Sequence, residues 1–174
     1  MRSTIGIDVE APAELVFRLA RNVERWPRLL PHYVAATRQG PPADDGRLLV
    51  AFVARRTIVP VLGLGVPVAW RSLTWSEADA RRLRFVHRGG ATNGMNVTWR
   101  IEGRPGGGCR IDIEHEFRPR VPGWAWLIDR LFTRPIASRT LATFRALAEA
   151  LADVRTDLQS DDQSGAAVTA NPPV

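Results

Sequence analysis

The sequence predicts an α+β fold in which a curved antiparallel sheet of about seven strands wraps around a long C-terminal helix, with two short helices after the first strand. Three observations predict it. A strand-length run opens the chain, a series of similar runs separated by turns follows, and apolar side chains then recur at helical spacing. A long amphipathic helix needs a surface that covers its apolar stripe, and the sheet supplies it.

The first element is a strand over residues 3–10, where apolar and polar side chains alternate. Pro12 then stands where the first turn of a helix tolerates proline, and apolar residues recur at helical spacing up to Ala20. The next segment, 22–31, contains two prolines, so any helix within it is short. A strand and two short helices therefore open the chain.

Six strand-length runs follow, and turn-forming residues separate them. These runs occupy residues 34–39, 47–56, 66–77, 83–88, 93–102 and 109–118. Because consecutive strands joined by short turns pair antiparallel, we expect a meander. The apolar segment 57–68, which glycine and proline interrupt, is predicted to be a hairpin connection, a mobile flap over a cavity or a loop that touches a membrane.

The chain closes with a helical pattern from Trp124 to about Val154. Pro135 falls inside the pattern and is expected to kink the helix or divide it into two. Beyond this point the composition turns polar and cannot repay its ordering entropy by burial. We therefore predict one domain over residues 1–154 and a disordered tail over residues 155–174.

Alternation along the last strands predicts which side chains face the long helix. His115 falls in an apolar row with Ile113 and Phe117, while the residues between them are charged. His87 lies with Phe85 in the same way. The penultimate strand turns two further large side chains inward, Met95 and Trp99. Since an unpaired buried polar group costs about 1 to 3 kcal/mol, either a cavity or neighbouring backbone groups must accommodate the two histidines.

Composition excludes several classes of protein. The single cysteine, Cys109, cannot form an internal disulfide, which favours a reducing compartment. No apolar run has the length of a secretion signal or a membrane span, so we expect a cytoplasmic protein without stable membrane insertion. The net charge is +6, but all 24 basic residues are arginines spread along the chain. This pattern favours codon bias, and we expect no nucleic-acid partner.

The motifs of several enzyme classes are also missing. The sequence contains no nucleophile elbow, phosphate-binding glycine loop, dinucleotide fingerprint or zinc-protease helix motif. The three histidines, His32, His87 and His115, are too scattered for metal-ligand spacing, so we expect no metal site. Any chemistry must then use the shape of a cavity and isolated polar groups.

The order of elements, together with IDVEAPAELVF over residues 7–17 and WPRLLPHY over residues 26–33, resembles the polyketide cyclase/dehydrase family. This family belongs to the START-like helix-grip (SRPBCC) superfamily, which also contains lipid carriers and coenzyme Q-binding proteins. The resemblance covers residues 4 to about 152. It implies a helix-grip fold with a deep apolar cavity for a polyketide or another small hydrophobic molecule, and no cofactor.

The second segment is similar to the aromatase/cyclase branch in particular. The resemblance implies that Trp26 and Tyr33 line the pocket mouth and that the tyrosine donates or accepts a proton. The branch also carries an arginine near the end of a tryptophan-rich strand. Aligning that tryptophan with Trp70 puts Thr74 at the family's serine and Ser76 where the arginine is expected, so the arginine is absent.

Parity and resemblance together predict a site in which Tyr33 and His115 act as acid/base groups around a polyketide carbonyl and Thr74 forms a hydrogen bond. The predicted substrate-binding residues are Trp26, Leu30, Trp70, Ser76, Phe85, His87, Met95, Trp99, Ile113 and Phe117. The first predicted function is a cofactor-free aromatase/cyclase-like protein that binds a poly-β-ketone and promotes aldol cyclisation and dehydration. The alternative, which the missing arginine favours, is a non-catalytic carrier for a lipid, quinone or other hydrophobic ligand.

Overall fold

A computed structural model describes residues 1–59 and 64–169. The chain begins with strand β1 (Arg2–Val9), helix α1 (Ala13–Arg21), a 3-10 turn (Val23–Arg25) and helix α2 (Trp26–Leu29). The remaining strands are β2 (Tyr33–Arg38), β3 (Leu48–Val59), β4 (Leu64–Glu77), β5 (Arg82–Arg88), β6 (Asn96–Gly103) and β7 (Cys109–Glu116). The last helices are α3 (Trp124–Ile128) and α4 (Arg134–Thr169).

All seven strands join one antiparallel sheet in the order β1-β7-β6-β5-β4-β3-β2. The sheet is curved, and the long helix α4 packs into its concave face through Leu141, Phe144 and Ala148, all nearly fully buried. The predicted fold class is therefore confirmed. The strands also extend into the segment 57–68, and residues 60–63 of that segment lie outside the described residues.

The inner face of the sheet follows the predicted alternation. Along β7 the buried and less buried side chains alternate, and Trp99 on β6 pairs with Ile113 while Val97 pairs with His115. The outer face carries ion pairs, for example Glu114 between Arg2 and Arg100. An apolar row and a charged row on opposite faces fix the pairing register, since a shift by one residue would exchange the two faces.

Strand β2 contains a bulge next to its first residue. Tyr33 pairs with Ala54 and Ala35 pairs with Val53, so Val34 is the extra residue and is exposed. Strict alternation would have put Tyr33 and Ala36 on opposite faces, but the bulge allows both to contact the core. The bulge thus turns the only tyrosine of the chain inward.

The C-terminal helical segment is irregular where proline predicts it. Helix α3 leads into a π-helical turn over Asp129–Thr133, and α4 begins just before Pro135. Proline lacks the N–H that the regular helical bond requires, and its ring displaces the carbonyl one turn earlier. Asp129 fixes this turn, because it accepts hydrogen bonds from Ser3 Oγ at 2.8 Å and Arg134 Nε at 2.9 Å.

Several boundaries differ from the sequence prediction by one to three residues, and the C-terminal helix runs further than predicted. Strand β6 begins at Asn96 rather than 93, because the preceding residues form a turn in which Gly94 donates its N–H to the His87 carbonyl. Helical backbone continues through Thr169, so the predicted tail begins inside α4. Side chains 153–159 are all exposed, and residues 170–174 lie outside the described residues.

Candidate functional site

A cavity of about 180 Å³ lies between the inner face of the sheet and the C-terminal helical segment. Most of its wall is aromatic or aliphatic. The sheet and α2 supply Trp26, Tyr33, Phe52, Trp70, Phe85, His87, Val97, Trp99, Ile113 and His115. The C-terminal helical segment supplies Ile128, Phe132, Thr133, Ile136, Ala137 and Thr140. Because an empty apolar cavity of about 150 Å³ binds benzene, this one accommodates a body of one or two rings.

Trp26 is the centre of the aromatic wall. Helix α1 holds its ring in place, because the indole Nε1 donates a hydrogen bond to the Ala20 carbonyl of that helix at 2.9 Å. The ring centroid lies 5.1 Å from that of Tyr33 in an edge-to-face arrangement and 5.3 Å from that of Trp99. Such pairs stabilise by about 0.5 to 1.5 kcal/mol beyond the area they bury, so they favour this packing of the wall.

The Tyr33 phenol lies in a polar corner of the otherwise apolar wall. Burial raises its pKa, and the nearby Thr140 hydroxyl opposes that rise by hydrogen bonding. Thr140 Oγ1 also lies 2.8 Å from His32 Nε2 and 2.8 Å from the Ile136 carbonyl oxygen. Tyr33, Thr140 and His32 therefore form one buried cluster, and the phenol remains protonated at neutral pH.

His115 is the second titratable group on the cavity wall. It is only 5% exposed, and burial lowers its pKa to about 4, although the nearby Asp129 carboxylate acts in the opposite direction. Its Nδ1 atom has no hydrogen-bond partner in the described part of the chain. The imidazole is therefore neutral at pH 7, and its buried Nδ1 is left without a partner among the described residues.

His87 lines the same cavity but is already engaged. Its Nδ1 lies 2.9 Å from Thr92 Oγ1, and its ring stacks on Trp70 with centroids 6.0 Å apart. Burial, with a further contribution from His115, lowers its pKa to about 3. The hydrogen bond and the stacking fix the His87 ring as part of the cavity wall, next to the loop that follows β5.

Most of the predicted site residues meet in this cavity. The residues that line it are Trp26, Tyr33, Trp70, Phe85, His87, Met95, Trp99, Ile113 and His115. They come from strands far apart in the sheet order, since β7 is second and β2 is last. The curvature of the sheet around α4 brings them to one space.

Four predicted site residues do not line the cavity. Thr74 is buried, but its hydroxyl donates to the Leu48 carbonyl at 3.3 Å, and Ser76 is exposed near the end of β4. Leu30 and Phe117 are buried in surrounding packing. Parity had the correct face for Thr74, but it does not tell how far along a strand a cavity extends.

Several wall residues were missed from the sequence. Phe52 alternates inward on β3 and stacks on Trp70 with centroids 5.3 Å apart. Thr140 stands within an apolar helical stripe, three residues after Ala137 and four before Phe144. A polar residue in such a stripe could have indicated a cavity, because burying a hydroxyl against a sheet costs free energy unless the hydroxyl has a hydrogen-bond partner.

The cavity wall carries no arginine, lysine or carboxylate among the described residues. Arg71, the nearest arginine along β4 to Trp70, is exposed on the outer face of the sheet. The position expected for the family arginine is thus not compensated by a neighbour on the same strand. Within the described ranges, no cluster of three metal-ligating side chains occurs, and no helix combines the length and apolar character of a membrane span.

A curved seven-stranded sheet with an aromatic cavity under its last long helix is a helix-grip fold. The chain belongs to the family described as polyketide cyclase / dehydrase and lipid transport, whose model matches residues 2–154. The recognised resemblance is therefore confirmed. No curated protein matches the sequence.

Solved structures with the same fold include aromatase/cyclases. The di-domain aromatase/cyclase BexL from the BE-7585A biosynthetic pathway is 25% identical, with a TM-score of 0.65 over 84% of this chain and 45% of that one. The chain thus spans about half the length of BexL. The ZhuI aromatase/cyclase from Streptomyces sp. R1128 is 15% identical, with a TM-score of 0.69 over 86% and 93% of the two chains. A START superfamily protein from Mycobacterium smegmatis is 14% identical, with a TM-score of 0.63 over 86% and 98%.

Proposed function

We propose that this protein is a cofactor-free aromatase/cyclase-like enzyme that folds a poly-β-ketone in its cavity and promotes aldol closure and dehydration. The observation that carries the proposal is that a phenol and an unpartnered imidazole, Tyr33 and His115, occur on the wall of one aromatic cavity. The family membership and the likeness to BexL support it.

The reaction needs a base and then an acid. In its neutral form, the His115 imidazole takes a proton from a methylene between two carbonyls, and the resulting enolate carbon attacks another carbonyl of the chain. The Tyr33 phenol donates a hydrogen bond to the oxygen on which negative charge develops. The imidazolium returns this proton to the alkoxide that the attack creates, which gives a β-hydroxy ketone. His115 then takes the second proton of the same methylene carbon and passes it to the hydroxyl, so that water leaves and a carbon–carbon double bond forms.

Position contributes more to this reaction than basicity. A histidine with a pKa of about 4 is a weak base at neutral pH, and a buried phenol is a weak acid. Holding two carbons of a flexible chain at reacting distance lowers the barrier by several kcal/mol on its own, up to about 7 to 11 kcal/mol in the best cases. The packed aromatic wall around Trp26 serves that purpose.

The second candidate is a non-catalytic carrier for a lipid, quinone or other hydrophobic ligand. A specific observation favours it: no charged side chain of the described residues lines the cavity. A carrier needs only apolar walls and one or two orienting hydrogen bonds, which the cavity has.

The experiment incubates the purified protein with a reactive poly-β-ketone and compares the ring-closed products with those of spontaneous closure. The proposal predicts a changed product distribution, and a fall in the rate of directed closure of about 10- to 100-fold in both His115→Ala and Tyr33→Phe. Thr98→Val, on the outer face of β6, is the matched control and should leave the rate unchanged. Wild-type rates in both cavity variants would overturn the assignment, and an unaltered lipid or quinone that copurifies would favour the carrier.

A further inference from the structure

The cavity reaches solvent where two neighbouring strands of the sheet separate. Arg71 and Arg88 form the last residue pair between β4 and β5 at this end, and β4 continues beyond it paired with β3 alone. Ala69 on β4 and Gly89 after β5 lie just past this pair, are exposed and line the cavity. The opening is therefore flanked by the Arg71–Arg88 pair.

The two arginines lie on the same outer face and lack counter-ions. Neither forms an ion pair with any residue in the described part of the chain, although Arg84 on the same strand as Arg88 pairs with Glu77 at 3.7 Å. Both line a shallow hollow with Leu49 and Leu73, and Gly89 borders this hollow and the cavity alike. The hollow thus continues the cavity mouth across the rim of the sheet.

Like charges directly opposite each other on paired strands destabilise the pair. An anion placed between the two guanidinium groups would remove that repulsion and accept several charge-assisted hydrogen bonds from their planar forks. Carboxylate and phosphate oxygens match this geometry. At about 180 Å³, the cavity encloses only a small body, so one end of a longer ligand must leave through the opening.

We propose that the ligand is amphipathic: its apolar body fills the cavity and a carboxylate or phosphate at its protruding end binds Arg71 and Arg88. This inference rests on the proposed function as a hydrophobic-ligand site and adds the charge and the orientation of the ligand. An acyl chain that ends in a carboxylate and one attached to a phosphate share the required chemistry.

The test compares three ligands of equal chain length, namely decanoate, decyl phosphate and 1-decanol, by titration calorimetry at low and at moderate salt. We expect one or both anions to bind at least ten-fold more tightly than the alcohol, with an affinity that falls as salt is added. Which of the two binds more tightly distinguishes the carboxylate from the phosphate.

Substitutions of single arginines test whether the anion binds Arg71 and Arg88. Arg71→Gln and Arg88→Gln should each weaken binding of the preferred anion about three- to ten-fold and leave 1-decanol unchanged. Arg82→Gln is the matched control, because it removes the same charge from the same face of β5 about 20 Å away and should change neither affinity. Equal binding of the alcohol and both anions, or equal losses in the control, would overturn the anion inference alone. If none of the three ligands binds, the cavity proposal fails and this inference fails with it.

Discussion

At the scale of single residues, the cavity is organised by one hydroxyl. Thr140 Oγ1 donates its proton to the Ile136 carbonyl and so accepts one from His32 Nε2. The neutral His32 ring therefore carries its proton on Nε2, while its buried Nδ1 has no partner among the described residues. A single threonine thus fixes the tautomer of a histidine next to Tyr33, whose ring lies 5.0 Å away.

Replacing this hydroxyl should be costly. Thr140→Val keeps the shape of the side chain but leaves His32 Nε2 buried without an acceptor, so we expect a loss of about 1 to 3 kcal/mol in the free energy of unfolding. Thr143→Val is the control, since its hydroxyl makes the same bond to a carbonyl four residues earlier and has no second partner among the described residues. Urea denaturation measures both, and equal values for the two variants would refute the role of Thr140.

The sequence predicts which face of the sheet a side chain lies on only where a strand alternates regularly. His115 and Trp99 were placed correctly, because a regular antiparallel strand alternates strictly and their strands contain no bulge. The inward position of Tyr33 depends on a bulge that the neighbouring sequence does not predict, and only the resemblance implied that position. The length of the cavity along β4, which excludes Thr74 and Ser76, depends on packing from α4 and lies beyond any local pattern.

At the scale of elements, a glycine in the β6–β7 turn allows this hairpin to approach strand β1. Gly108 has a φ of +73°, and a Cβ at this position would lie 2.6 Å from the Val9 carbonyl oxygen of β1. The hairpin therefore approaches the first strand as closely as backbone atoms allow. Gly106 in the same turn also has a positive φ, but a Cβ there would meet nothing within 4 Å.

Alanine substitutions at Gly106 and Gly108 separate the cost of backbone strain from the cost of steric overlap. Gly106→Ala should destabilise the protein by about 1 kcal/mol, the cost of the left-handed backbone alone. Gly108→Ala adds a clash with backbone and should cost at least about 1 to 2 kcal/mol more. Thermal or urea unfolding of the two variants gives the difference, and a Gly108→Ala protein as stable as Gly106→Ala would contradict the close approach of the hairpin and β1.

The helical elements show what the pattern predicts and what it leaves open. Pro135 predicted an interruption of the C-terminal helix, and the irregularity stands in the turn just before it. Its form, a π-helical turn held by the buried Asp129, depends on the distant Ser3, which no local sequence pattern connects to it. The kind of irregularity follows from tertiary hydrogen bonds, whereas its position follows from the missing N–H of proline.

At the scale of the whole molecule, three histidines with lowered pKa values make stability depend on pH. Burial lowers the pKa values of His32 and His115 to about 4 and that of His87 to about 3, against about 6.5 in the unfolded chain. Between these values the unfolded state binds more protons than the folded state, so acid favours unfolding. Stability is fully present above pH 6.5 and falls as the pH approaches 4.

We therefore expect the free energy of unfolding to fall from pH 6.5 to pH 5 by up to about 2 kcal/mol for each neutral histidine. Urea denaturation at several pH values measures the slope. His115→Asn removes one titrating group, so it should reduce the slope of unfolding free energy against pH in this window by roughly 1.4 kcal/mol per pH unit at most. A flat profile in the wild-type protein would mean that the histidines titrate normally.

The proposed function requires that a ligand occupies the space between the curved sheet and α4. Quenching of tryptophan fluorescence by an added anthraquinone reports on this, because Trp26, Trp70 and Trp99 all line the cavity. We predict saturable quenching by the wild-type protein and by Ala146→Phe on the exposed side of α4, and binding at least ten-fold weaker in Ala137→Phe, which fills the cavity. Saturable quenching of equal affinity in Ala137→Phe, or none in the wild-type protein, would contradict it.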